Sequence, residues 1–253
     1  MAQSPLDGFL NAYSETFPYH RENLGLLRVY AAFVREIIER RKARSVLSLG
    51  LGDGVVAHSL APLIPDRLDS YLIVEGSPAL IERFENDQPG FAGEIAASLF
   101  ESFETGRRFD LVEMGFVLEH VEDPQSLLRR FLGLLNPGGG VAVAVPNALS
   151  LHRRLGHAAG FLPDPYALSS HDRAAGHVRS FDHSSLAALV EGSGFQILNC
   201  VGLMMKPFST AQLERLKLPA EVWDAMYAGA RDYPDIANAI ALEAEPPAAV
   251  SDI

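Results

Sequence analysis

At 253 residues with 48 % hydrophobic side chains, the chain has the length and apolar content for one α/β domain with embellishments and a sizeable core. Its net charge of −11 includes no run of Lys or Arg long enough to track a phosphate backbone, which argues against nucleic acid as a partner. The single Cys200 excludes an intramolecular disulfide and fits a reducing compartment. The start Met1-Ala2-Gln3-Ser4-Pro5-Leu6-Asp7 has neither the basic beginning nor the apolar stretch of a signal peptide, and no apolar run reaches the ~18 residues of a membrane span. A cytoplasmic protein without a membrane partner is expected, and a homodimer is compatible with these features.

Residues 9–20 mix aromatics with polar groups, among them Phe9, Tyr13, Phe17, Tyr19 and His20. From Leu24 to Arg41 the apolar positions Leu24, Leu27, Tyr30, Ala31, Val34, Ile37 and Ile38 repeat with a helical period. Residues 1–43 therefore read as an N-terminal helical segment or lid, with residues 44–253 as the main domain. Val46-Leu47-Ser48-Leu49-Gly50 is then a short buried strand, running into Leu51-Gly52-Asp53-Gly54 and a helix from Val55. Glycines at alternate positions let the turn adopt positive φ and let a ligand lie against the backbone. The spacing is not that of a dinucleotide fingerprint, which needs glycine where Val55 stands, and no Gly-Lys-Ser/Thr tripeptide supplies a P-loop.

Ser70-Tyr71-Leu72-Ile73-Val74-Glu75 is a second strand, ending in a carboxylate, and Ser77-Pro78 starts a helix reaching about Asn86. Glu94–Ala97 reads as a weak third strand and Phe109–Met114 as a fourth. Asp123-Pro124 begins a helix that runs to Leu135 and is ended by Asn136-Pro137-Gly138-Gly139-Gly140. Val141–Val145 is a fifth strand buried on both faces. Residues 147–182 break the rhythm and read as a lid, since a loop of that length is usually functional or disordered. A helix from Ser184 to Glu191, a strand from Phe195 to Val201, a helical cap over 207–233, a last strand from Ile236 to Leu242 and a frayed tail from Glu245 complete the chain. Strands alternating with helices predict a doubly wound α/β sheet.

In such a sheet ligands bind beyond the carboxyl ends of the strands, so the residues following each strand carry the chemistry. Glu75, after the second strand, is placed either to accept both hydroxyls of a ribose or simply to neighbour a helix N-terminus. After the fourth strand comes Met114-Gly115-Phe116-Val117-Leu118-Glu119-His120, and after the fifth Pro146-Asn147-Ala148-Leu149-Ser150-Leu151-His152. With Gly50-Leu51-Gly52-Asp53-Gly54, Phe109-Asp110-Leu111-Val112, Leu135-Asn136-Pro137-Gly138-Gly139 and His177-Val178-Arg179-Ser180-Phe181, the set resembles the class I S-adenosylmethionine-dependent methyltransferases. The likeness is nearest to the branch that includes ubiquinone-type O-methyltransferases and many small-molecule methyltransferases.

That resemblance implies a Rossmann-like seven-stranded sheet of order 3-2-1-4-5-7-6 with the last strand antiparallel, helices on both faces, and helical caps at 147–182 and 207–233. It implies S-adenosylmethionine as cofactor, with Gly50, Gly52 and Gly54 beneath its methionine and ribose parts. Glu75 would take the ribose, Ser98, Leu99 and Phe100 the adenine, and Met114, Gly115 and Phe116 the methionine end. Relatives commonly carry an acid two residues before the first glycine; Ser48 stands there, hydrogen-bonding but uncharged, with Asp53 as partial compensation.

Histidine suits proton removal from an acceptor because its pKa lies near working pH, and His120, His152 and His177 are the candidates, each alternatively structural. Some relatives bind a divalent ion through Glu-x-x-Glu-His, but here Phe116 replaces the first carboxylate and Glu113 is not its equivalent, so no metal is expected. Tyr13, Tyr19, His20, Phe116, His152 and Lys206 are the expected contacts to a small-molecule acceptor, with Phe161, Tyr166 and Phe208 as further aromatic wall. A nucleic-acid 2′-hydroxyl methyltransferase and a non-catalytic S-adenosylmethionine-binding regulator are the alternative readings.

Overall fold

The computed structural model describes residues 5–247. Of the tail expected from Glu245, only the first residues fall within that range, and the first four residues also lie outside it. A 3-10 helix over Pro5–Tyr13 leads into α1 (His20–Arg41). There follow β1 (Ser45–Leu49), α2 (Val55–Leu60), β2 (Ser70–Glu75), α3 (Pro78–Asp87), β3 (Glu94–Ala97), β4 (Phe109–Gly115) and α4 (Pro124–Leu132). The chain continues through β5 (Leu135–Pro146), α5 (Leu151–Ala158), α6 (Ser170–Ala174), α7 (His183–Gly192), β6 (Gln196–Gly202), α8 (Thr210–Arg215), α9 (Ala220–Ala228) and β7 (Ala239–Glu245).

The strands form one sheet in the order β3-β2-β1-β4-β5-β7-β6, with β7 antiparallel to both its neighbours. This is the order and the strand direction implied by the resemblance. Helix starts follow local chemistry. Ser77 accepts from the Leu80 N–H ahead of Pro78, and Asp123 accepts from the Ser126 N–H ahead of Pro124, each satisfying a donor that the first turn leaves free.

Two cores sandwich the sheet. On one face Tyr30, Phe33, Val34, Ile37 and Ile38 of α1 pack with Val46, Tyr71, Ile73 and Leu111 of the strands. On the other, Leu127, Leu128 and Phe131 of α4 and Leu186 and Val190 of α7 cover Leu47, Val112, Met114 and Val143. Helix α1 thus shares its core with the sheet. Among the described residues no helix is long and apolar enough to cross a membrane.

Two strand boundaries differ from the sequence reading. Leu135 already pairs with Phe109, so β5 begins before the glycines; Asn136–Gly139 bulge out before pairing resumes at Gly140–Leu111, and Asn136 Nδ2 donates to Asp110 at 2.7 Å. The last strand starts at Ala239 instead of Ile236, because the Ile236 and Ala237 N–H groups close a turn onto the Tyr233 carbonyl. The span 147–182 holds α5 and α6 within its loop.

A buried ion pair ties the start of α1 to the segment between β6 and α8. Lys206 Nζ donates to both Glu22 oxygens, at 2.6 and 2.7 Å, and to Thr210 Oγ1 at 2.8 Å, while Asn238 Nδ2 donates to Glu22 at 2.9 Å. Replacing Lys206 by Met would strand the Glu22 carboxylate, whose side chain is 7 % exposed. A loss of about 3–5 kcal/mol in urea unfolding is expected, largely restored by the double variant Lys206→Met/Glu22→Gln.

Candidate active site

Where the strand order reverses between β1 and β4, a cavity of about 540 Å³ opens at the carboxyl edge of the sheet. Its floor is the turn after β1. Gly50, Gly52 and Gly54 all have positive φ, at 86°, 51° and 72°. Gly50 and Gly52 line the cavity, bounded by Phe100 and Tyr13, the atoms nearest to any added Cβ at 3.7 Å. Gly54 faces away: a Cβ there would press on Phe84 at 3.1 Å and His58 at 3.2 Å, so this glycine lets the turn close against α2 and α3.

Glu75 is buried, and its two oxygens accept the Leu51 N–H at 2.9 Å and the Ser77 N–H at 2.7 Å. A carboxylate offers about four lone-pair sites, so two remain for ligand hydroxyls. Tyr13 covers the turn from the N-terminal segment; burial first, then the charges of Glu75, Asp53 and Glu119, push its pKa up to about 12, so it stays a neutral donor. Asp53 lines the cavity with its Oδ1 buried and unpartnered; burial raises its pKa, while His20 and Arg83 oppose the rise. His20 is not part of the lining and acts through Asp53.

Strand alternation divides the residues at the end of β4. Glu113 and Gly115 face the cavity, whereas Met114 points to the opposite face and is buried in the second core. Phe116 takes a left-handed conformation, φ 59°, and sets its ring edge-on to Tyr30 in the cavity wall. Of Ser98, Leu99 and Phe100, Phe100 reaches the cavity and Leu99 lies half exposed outside it. Ser48 lies just behind the wall, its hydroxyl 3.0 Å from that of Tyr71. Phe161, Tyr166 and Phe208 turn outward, Phe161 being 86 % exposed, and Tyr166 spends its hydroxyl on Asp182. Lys206 lines the cavity with its ammonium protons already taken by Glu22 and Thr210.

The lid brings two distant histidines together. The Val178 N–H donates to the Glu119 carbonyl at 2.9 Å, and the rings of His120 and His177 meet edge to face with centroids 4.7 Å apart. Burial, and then His177, lowers the His120 pKa to about 4, opposed by the nearby Gly176 backbone. Burial also lowers His177, against the pull of Asp172. Glu119 carries both carboxyl oxygens buried without a partner, and burial raises its pKa to about 8. His152 stands on α5; burial, then Lys206 and Arg153, drop its pKa to about 3, and the Ser150 hydroxyl lies 3.1 Å from Nδ1.

Ligand atoms of Glu119, His120 and His177 lie within 4.8 Å of one another. The expectation of no metal rested on Phe116 standing where a carboxylate ligand would, and spacing in sequence did not count His177. The absence of a metal therefore no longer follows from Phe116. The orphaned carboxyl and two neutral imidazoles fit a divalent ion of the kind that takes nitrogen and oxygen ligands, which would supply a Lewis acid for an acceptor oxygen. Sequence reasoning also passed over Glu22, Glu113, Arg153, Arg179 and Asn238 in the cavity wall. Glu113 left a signal, since period-two counting back from Gly115 puts both on one face, and Arg179 lies within the motif His177–Phe181.

Comparison with known proteins identifies the family. A family profile described as "Methyltransferase domain" matches residues 19–199. The ubiquinone biosynthesis O-methyltransferase of Azotobacter vinelandii is 26 % identical over 173 residues, 67 % of this chain and 72 % of that protein. The trans-aconitate 2-methyltransferase of Methylobacterium radiotolerans is 32 % identical over 107 residues, 42 % of this chain and 40 % of its own length. In fold, the N-methyltransferase NodS from Bradyrhizobium japonicum WM9, solved with S-adenosyl-L-homocysteine, superposes with a TM-score of 0.57 at 15 % identity, over 95 % of this chain and 97 % of that one. With the profile spanning most of the chain, this protein belongs to the methyltransferase-domain family.

Proposed function

We propose that the protein is an S-adenosylmethionine-dependent methyltransferase that transfers the methyl group to an oxygen or nitrogen of a small molecule, in a biosynthetic role. One observation carries the reading: one continuous cavity, partly covered by the lid, runs from the glycine turn and Glu75 to the His120–His177 pair. The donor lies over Gly50 and Gly52, with its ribose on Glu75 and its adenine against Phe100. The acceptor enters beneath the lid, between Tyr19, Phe116 and His120. Enclosure favours a small acceptor over a macromolecule.

Methyl transfer is an in-line displacement, so holding donor and acceptor in line supplies much of the acceleration. His120 is the base in this reading. Its pKa of about 4 leaves the ring neutral, with one nitrogen lone pair for the acceptor's proton. His177 orients it, and His152 borders the acceptor space.

Glu75→Ala is expected to weaken S-adenosylhomocysteine binding by about 1–3 kcal/mol through unpaired ribose hydroxyls, read by calorimetry. His120→Ala should lower turnover by about 10², the low end for general bases, because a low pKa makes a weak proton acceptor, while product affinity stays the same. His120 is unprotonated above its pKa of about 4, so it adds no acid limb to the rate profile between pH 5 and 8. Dialysis against EDTA should leave turnover intact; a loss restored by added divalent ion would assign Glu119, His120 and His177 to a metal instead.

A further inference from the structure

Glu113 is a buried ionisable group of the donor side that the proposed mechanism leaves unused. It stands opposite Ser48 in the β1–β4 register, so both side chains leave the same face of the sheet, directly behind the methionine end of the cavity. Ser48 has no charge to offer there. Glu113 is buried at 3 % exposure, and every element packed against it contributes an uncharged group: Ser48 from β1, Tyr71 from β2, Tyr30 from α1 and the Gly115 N–H, which donates to Oε1 at 2.8 Å. No Lys, Arg or His is among the groups acting on it.

This surrounding accommodates either protonation state. The Tyr30 hydroxyl donates to the Ala142 carbonyl at 3.0 Å and also lies within reach of Glu113, and the Ser48 and Tyr71 hydroxyls are 3.0 Å apart. Hydroxyl hydrogens rotate to suit their partners. Facing a neutral carboxyl, Tyr30 stays on Ala142; facing a carboxylate, Tyr30 and Ser48 swing onto Glu113.

A carboxyl buried with hydroxyls alone lacks a cation. The donor brings one, the ammonium of its amino-acid end. On the reading that S-adenosylmethionine occupies the cavity, we propose that Glu113 receives that ammonium and becomes a carboxylate as the donor binds. The carboxyl O–H bond breaks, its proton passes to solvent, and the new negative charge faces the incoming positive one, so the buried site stays neutral overall. Burial already pushes the Glu113 pKa up to about 7, which places the exchange near neutral pH. The sign follows: as pH falls below that value the carboxyl must be deprotonated against the medium, and donor affinity drops with it.

Titration calorimetry with S-adenosylhomocysteine in buffers of different ionisation enthalpy reads the released proton. About one proton per ligand is expected near pH 6, falling towards none near pH 8, with the dissociation constant rising about tenfold for each unit below pH 7. Methylthioadenosine, which keeps the nucleoside and lacks the amino acid, should bind without proton release. Glu113→Gln should keep its fold by circular dichroism, release no proton with S-adenosylhomocysteine, and bind it about tenfold more weakly near pH 7.5, with methylthioadenosine unaffected. Equal release with both ligands, or undiminished release from Glu113→Gln, would overturn the proposal and move the proton to Asp53 or Glu119. Should the variant not fold, the two-ligand comparison on the native protein decides. Failure of the native protein to bind S-adenosylhomocysteine at all would instead remove the donor reading.

Discussion

The Leu51 and Ser77 N–H groups converge on the Glu75 carboxylate, and the donor end of the site depends on that convergence. One hydrogen bond anchors the glycine turn after β1, the other the start of α3 after β2. Backbone donors at adjacent strand ends are thereby locked to one side chain, which a turn with three residues at positive φ needs, since glycine loses more conformational freedom on ordering than any other residue. Charge-assisted bonds of this kind are among the stronger ones available to a protein. The geometry that presents the cavity floor is therefore set before any ligand arrives.

Around this floor the structure buries acids without bases. Burial raises the pKa of Asp53, Glu113 and Glu119, and none of the three forms a salt bridge among the described residues. An isolated buried carboxylate is costly, and burial is the largest cause of the upward shift in each of the three. Among the described residues, Lys206 pairs with Glu22 at the cavity wall and Arg41 with Glu243 outside the cavity, and these two buried ion pairs hold α1 to the β6–α8 segment and to β7. Lys206 is held by Glu22 and Thr210, and Arg153 is held by the Pro165 and Ala167 carbonyls, so neither of these cations forms an ion pair with Asp53, Glu113 or Glu119.

Closure of the cavity comes from segments far apart in sequence. Phe17 and Tyr19 precede α1, and both set their rings edge-on to His171 of α6, with centroids 6.5 and 4.9 Å apart. Tyr19 holds a left-handed φ of 73° to do so, a conformation unfavourable for an aromatic residue unless its surroundings dictate it. Asn147 pairs with Phe181 as an isolated bridge, fixing the far end of the lid to the end of β5.

Local chemistry in the sequence determined the strands, the glycine turn, the Ser77-Pro78 and Asp123-Pro124 helix starts and the position of Glu75 at a strand end. Each rests on residues within a few positions of one another, where periodicity and capping act. What sequence spacing could not carry were relations across the sheet and the lid. Strand alternation, visible only once the sheet face is known, turned Met114 into the far core and Glu113 towards the cavity. The antiparallel register of β7 moved the last strand to Ala239, and the bulge opposite Phe109 drew Leu135 into β5. Tertiary packing alone placed His177 against His120 and gave Lys206 to Glu22, because those partners lie tens to hundreds of residues apart and meet only when burial joins them.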